Sequence, residues 1–341
     1  MTHTSHTQAP VPHPARLRHQ PSPAARATGI VVAITAALAV VAIAFALPAT
    51  RSQPHDVPIG AAGPQAAGGQ LSAMLEQNAP GAFDVTFYPG RSALAQAIRN
   101  REIYGGIAAP AEPGGPATML IATGASPAIA GLLTQLAQQI DRGTGMSVVI
   151  EDLAPPSPRD PRGAGLAASA LPLTLAGLLP AIALVLAVPR RHGVQFGAAV
   201  LSAALSGITI AALLRFVFGS TTENFWGIAA GLTLGVAAAA LFLLGMGALF
   251  GRTGLALGAV LALLIGNPLS GLTSAPELLP AGWGTLGQLL PQGATATLLR
   301  SAAFFGGAGA STAVAVLVCW AVGGTALLAA AAIRHRTLPA P

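Results

Sequence analysis

The sequence predicts an α-helical polytopic membrane protein of six transmembrane helices, with a small α/β extracytoplasmic domain inserted between helices 1 and 2. Three observations lead there. Apolar residues make up 53% of the 341 positions and charged residues only 8%, against about 25% charged in an ordinary soluble domain. The apolar residues fall in long uncharged blocks of the length a bilayer requires, about 20 residues each. Nine of the eleven acidic residues fall between positions 49 and 165, so one stretch has the composition of a water-exposed domain and the remainder does not.

Taken in order, residues 1–27 are rich in His, Pro, Ser and Thr and show no apolar period, which reads as a disordered cytoplasmic tail. His3, His6, His13 and His19 lie in it without a spacing that fixes a metal geometry. Residues 28–48 are the first span; from Gly29 to Leu47 there is no charge. A cleaved signal peptide is the alternative, with Ala44-Phe45-Ala46 as an A-x-A site, although the run is long for such a segment.

The extracytoplasmic domain, 49–165, opens in a linker-like stretch through Ala61-Ala62-Gly63-Pro64. Phe83 to Tyr88 alternates as a strand and is closed by Pro89-Gly90. Leu94, Ala97, Ile98 and Arg101 then recur at helical spacing. Two short strands are expected at 104–109 and 118–123, a helix opened by Ser126-Pro127 and stopped at Gly143, and a last strand at 146–150. One cysteine, Cys319, sits in an apolar run, so no disulfide staples this domain.

Residues 166–333 carry spans at 166–188, 195–217, 226–250, 254–272 and 309–333, with an outer re-entrant or interfacial segment at 273–308; 334–341 is a cytoplasmic C-terminal tail. Orientation follows from arginine, since the chain has no lysine. With both termini inside, Arg190, Arg191, Arg252, Arg334 and Arg336 are cytoplasmic, and every Asp and Glu lies outside. The location is then the cytoplasmic membrane, with the lipid bilayer as partner.

Several chemistries lack their residues. No Asp, Glu or His falls within a predicted span, as a proton relay or an intramembrane metalloprotease would need. Without lysine there is no phosphate-binding P-loop. The arginines form no stripe interleaved with aromatics, which argues against nucleic acid. No catalytic, metal or cofactor constellation is expected; carboxylates such as Asp84 and Glu102 read as solvated surface groups. Arg215 is the one charge near the inside of a span, either an anion contact or a side chain snorkelling to the headgroups. Ser202 and Ser206, Ala203 and Gly207, Gly227, Gly231 and Gly235 repeat at four-residue spacing, which suits a bundle or a dimer seam.

The stretch 267–305 is too broken by Pro and Gly for a span and too apolar for a plain loop. Leu278, Leu279, Trp283, Leu286, Leu289 and Leu290 suggest short helices at the outer interface, with Trp283 at headgroup level. With GNPLSGLTSAPELLP at 266–280, LPQGATATLLRSAAFF at 290–305 and REIYGGI at 101–107, the chain resembles an ABC-2-type transporter permease, and more closely its YhgE/Pip-like (phage-infection-protein-like) branch. The resemblance implies a homodimeric exporter subunit, driven by a separate ABC ATPase in trans and moving a lipid-like or small hydrophobic substrate outward. It makes Arg215, Asn267, Pro268, Trp283, Gly287 and Arg300 the candidate outer-gate or interfacial residues. Permeases of that family dock their ATPase through a helix before span one and a loop between spans two and three; here that loop is little more than Pro189-Arg190-Arg191-His192-Gly193. A non-transporting envelope protein, whose outer domain binds a ligand or partner, is the alternative reading.

Overall fold

The computed structural model describes residues 22–112 and 114–337. The four tail histidines, Arg16, Arg18 and the last four residues lie outside them. The chain divides into two units, one through Ile43 and one from Ala44. The first consists of helix α1, Pro23–Thr50, up to the boundary. Ser22 caps it, accepting a hydrogen bond from the Ala25 amide, so residues 23–27 are helix and not tail. Its large apolar side chains, Ile30, Val32, Ile34, Leu38 and Ile43 among them, are exposed on every side.

The second unit holds a five-stranded sheet and a helical bundle. Strands β1 (Val57–Ala62), β2 (Phe83–Tyr88), β3 (Gly105–Ala108), β4 (Ala117–Ile121) and β5 (Val148–Asp152) lie in the order β2-β1-β3-β4-β5. All neighbours are parallel except β3 and β4. Helices α2 (Gln65–Asn78), α3 (Arg91–Arg99) and α4 (Pro127–Thr144) connect them. One face packs Val57, Ile59, Met119 and Ile121 against Ile129 and Leu133 of α4. The other packs Ala62, Leu120 and Ala122 against Leu94 and Ile98 of α3. Helix α4 starts where Ser126 accepts a bond from the Ile129 amide and stops at Gly145, whose φ of 66° is the left-handed cap glycine tolerates.

The stretch expected to be linker is thus β1, the strand between β2 and β3. Its composition hides it: Gly60, Ala61 and Ala62 offer no alternating bulk. The small residues are required, because a Cβ on Gly106 would strike the Gly60 carbonyl across the β1–β3 pair.

Among the described residues five helices are long and apolar enough to cross a membrane: Pro23–Thr50, Ala164–Ala187, His192–Val217, Phe225–Gly266 and Ser311–Arg334. The second comprises α5 (Ala164–Ala168) and α6 (Ala170–Ala187); the third is α7 (His192–Ala212) with a π-helical turn at Leu213–Val217. The fourth, α8 (Phe225–Val260) with a π-helical turn at Leu261–Gly266, runs 42 residues. As a straight rod it would be about 63 Å long, twice the hydrocarbon core. It is not straight. Gly251 has φ 65° and ψ −143°, and beyond it Gly254 lies on the Met246 carbonyl, Gly258 on Leu243 and Leu255 on Gly247. Those pairings are possible only if the two arms run antiparallel, so in place of the spans expected at 226–250 and 254–272 the chain forms one hairpin with a single-glycine turn, and its second arm ends at Gly266, six residues short of the expected bound.

The first arm of α8 is the axis of the bundle, with Ile228, Leu232, Val236 and Leu244 buried among α6, α7, α10 (Pro291–Phe304) and α11 (Ser311–Thr337). The small residues are spent here: Gly207 abuts Ala229 and Thr233, Gly231 abuts Leu298, and Gly235 abuts Thr295. Gly207, Gly231 and Gly235 thus serve packing within one chain. Cys319 is exposed.

Candidate functional site

The expected interfacial segment is a platform on which the α/β domain sits. After the second arm of α8 the chain makes a 3-10 turn at Pro276–Leu278, then α9 (Trp283–Gln288), then α10. Glycine permits the folding. A Cβ on Gly284 would strike the Pro276 carbonyl, and one on Gly287 the Leu269 carbonyl. Helix α10 is buried along most of its length, so non-helical backbone around it is covered by protein.

Four attachments bind domain to platform. The Gln53 and His55 amides donate to the Leu278 and Glu277 carbonyls at 3.1 and 2.9 Å, a strand-like pairing ahead of β1. Ala275 and Leu278 enter the core beneath α4. Phe304 and Phe305 pack into the core beneath α3. The fourth is polar. Arg101, held in left-handed backbone at φ 62°, donates from Nη1 to the Thr297 carbonyl at 2.9 Å and the Ser301 hydroxyl at 2.6 Å. Its guanidinium also sits 5.4 Å over the Phe305 ring. The Tyr104 hydroxyl donates to Glu277 Oε2 at 2.7 Å. Behind them Arg300, only 6% exposed, forks onto the Gly271 and Leu272 carbonyls, both at 2.7 Å.

Electrostatics follow from burial. Burial, reinforced by the Glu277 carboxylate, pushes the Tyr104 phenol far above its usual range, so it remains a donor. Burial lowers Arg101, opposed by Tyr104 and Glu277. Burial pulls Arg300 down to about 10, with nearby Arg101 adding to the shift, so Arg300 stays charged at neutral pH.

Between the lower edge of the sheet and the platform lies a cavity of about 590 Å³, within the usual range of ligand pockets, roughly 300–1,000 Å³. Asp56, Arg101, Glu102, Tyr104 and Glu277 give it polar walls; Ile103, Leu279 and Pro280 give it apolar ones. Helix α9 is one wall, with Gly284, Thr285 and Gln288 toward the cavity and Trp283, Leu286 and Leu289 exposed away from it. No protein-family model, curated protein or solved structure matches the chain.

The residues singled out from the sequence divide into three groups. Gly287 and Arg300 fasten the platform, and Trp283 is exposed on its far side. Asn267 is buried and lines a void too small for more than a water, with Thr174, Ser270, Gln292 and Thr295; Pro268 follows it at the end of the π-helical turn. Arg215 stands apart on the π-helical turn of α7, its guanidinium 5.7 Å from the Phe216 ring. Sequence reasoning missed Arg101, Tyr104 and Glu277 as a set. The signal was that Glu277 and Arg300 are the only charges in a 39-residue stretch of apolar and small residues, 267–305. A charge so placed needs a partner, but nothing local shows that the partner lies about 175 positions upstream.

Proposed function

We propose that this chain is the membrane subunit of an ABC-2-type exporter, working with a separate ATPase to move a lipid-like or small hydrophobic substrate outward through the cytoplasmic membrane. Counting both arms of the α8 hairpin gives six crossings, with both termini and the turns at 188–191 and Gly251 inside and the α/β domain outside. The observation that carries the reading is the cavity of about 590 Å³ where that domain is bolted to the 276–278 turn and α10, with α9 as a wall. A protein that only anchors a domain needs neither helices folded back against the bundle nor a chamber above them. An exporter needs both, as a gate and an exit vestibule. On this reading Gly287 and Trp283 belong to the gate.

The test is to purify the tagged protein in mild detergent, identify its companions by mass spectrometry, and assay nucleotide-dependent export in reconstituted vesicles. A stoichiometric ATP-binding-cassette subunit and export that Trp283→Ala reduces, at unchanged protein level, are the expected outcome. No such subunit and no effect of nucleotide would refute the role.

One observation favours a second reading, a non-transporting envelope protein that binds a ligand in the same cavity. The turn from α6 to α7 spans only four residues, 188–191, and is closed by buried Gln195, which donates to the Leu184 and Val188 carbonyls at 3.2 and 3.0 Å. It offers no helix for an ATPase to grip.

A further inference from the structure

The cavity walls carry enough chemistry to specify what they hold. Three carboxylates, Asp56, Glu102 and Glu277, line it against one guanidinium, that of Arg101, and the His55 imidazole, whose Nδ1 lies 2.6 Å from the Gln53 carbonyl. The Asp56 carboxylate has no hydrogen bond among the described residues. Glu102 accepts one, from Asn100 Nδ2 at 3.0 Å. Glu277 accepts one from Tyr104. A carboxylate has about four acceptor positions, so all three retain capacity. Arg101 spends Nη1 on α10, and its Nη2 and Nε carry no hydrogen bond among the described residues. The walls thus present a surplus of acceptors for a cation and a smaller set of donors for an adjoining anion.

The apolar features are placed as complements. Ile103, Leu279 and Pro280 share the cavity with these groups. On the outer side of α9, Trp283 is 37% exposed, Leu286 48% and Leu289 55%. That apolar face is one helix diameter from the cavity, about 10–12 Å. A ligand with a charged head in the chamber therefore has greasy surface within reach of its chain.

We infer that the cavity binds the head of an amphiphile bearing a primary ammonium next to an anionic group, of the aminophospholipid kind. Among the described residues no three acidic or histidine side chains are placed to share one ion, so the ammonium faces Asp56 and Glu277 and the anionic group faces Arg101. A primary ammonium supplies three donors to waiting acceptors, whereas a quaternary one supplies none. Recognition of a quaternary head rests on the faces of Trp, Tyr or Phe, and among the described residues Tyr104 is the one such ring in the lining. The inference rests on the export reading for the direction in which the amphiphile moves. Binding is measured on the resting protein without nucleotide, so its failure and the failure of transport are separate results.

The experiment titrates the detergent-purified full chain with short-chain lysophosphatidylethanolamine, lysophosphatidylcholine and free phosphoethanolamine. The ethanolamine lipid should bind at least about tenfold tighter than the choline lipid, the factor expected from roughly 1.4 kcal/mol of charge-assisted hydrogen bonding. Asp56→Asn and Glu277→Gln should each remove most of that preference. Glu277→Gln keeps an acceptor for Tyr104, and the exposed Asp56 carboxylate makes no internal bond, its amide bond to the Gly81 carbonyl being kept in Asp56→Asn, so at least one variant retains the fold. Equal binding of the two lipids, or a preference that survives both substitutions, would overturn the assignment. Free phosphoethanolamine binding as tightly as the lipid would overturn its amphiphilic part.

Discussion

Arg300 shows what one buried guanidinium can hold. Its fork reaches the carbonyls of Gly271 and Leu272, which follow the last turn of the α8 hairpin and have no helix to satisfy them. Arg300→Met would leave both acceptors dry, at about 1–3 kcal/mol each. Arg300→Lys keeps the charge but not the fork and should recover part of the loss. Thermal unfolding in detergent should rank wild type above Lys above Met; equal midpoints would show that the fork is idle. Asp160 makes the corresponding bond on the other side of the domain. Burial raises its carboxyl, but hydrogen bonds from the Ser220 hydroxyl and the Gly165 and Ala164 amides outweigh that and hold it below the usual carboxylate range. A depressed folded pKa contributes stability that is present above the unfolded value, about 3.9, and is lost as pH falls through the folded one. Wild type should therefore lose stability below about pH 4, and Asp160→Asn should be less stable at neutral pH with that acid-dependent step missing. A melting series from pH 3 to 7, parallel for the two proteins, would contradict this.

At the scale of elements, periodicity revealed what buries bulk and missed what buries smallness. Strands β2 and β4 and helices α3 and α4 lie within a few residues of their expected bounds because Phe83, Leu94, Met119 and Leu133 mark a face. Strand β1 escaped because Gly60, Ala61 and Ala62 mark none, although close approach to Gly106 demands them. The α8 hairpin was legible as two spans, since Arg252 interrupts an apolar run, but not as an abrupt reversal. The conformation of Gly251 is one that a side chain opposes. Gly251→Ala should cost about 1–3 kcal/mol and lower the yield of folded protein. Gly323→Ala, on α11 with open space around it, is the matched control and should be neutral or slightly stabilising. Equal loss in both would point to a general intolerance and away from the turn.

For the whole molecule, the arginine asymmetry gave an orientation that labelling can check. In a Cys319→Ala background, single cysteines at Glu76 or Asp141 should react with an impermeant maleimide on intact cells. Cysteines at Arg190 or Arg252 should react only after permeabilisation. Labelling of Arg252→Cys from outside would break the six-crossing arrangement. The candidate site was the least legible part of the chain, because its polar residues come from positions 101–104, 277 and 297–301 and meet only through the fold. A motif at one place could not announce it.

The one-glycine turn also bears on how the protein is made. Two helices joined by a loop can leave the translocation channel one after the other, each tested against lipid on its own. Two helices joined at Gly251, with Gly254 already seated on Met246, have no slack for that. If both arms cross the bilayer, as proposed, they should enter it as a pair, with the first arm settling as the axis of the bundle only once the ribosome has delivered the second.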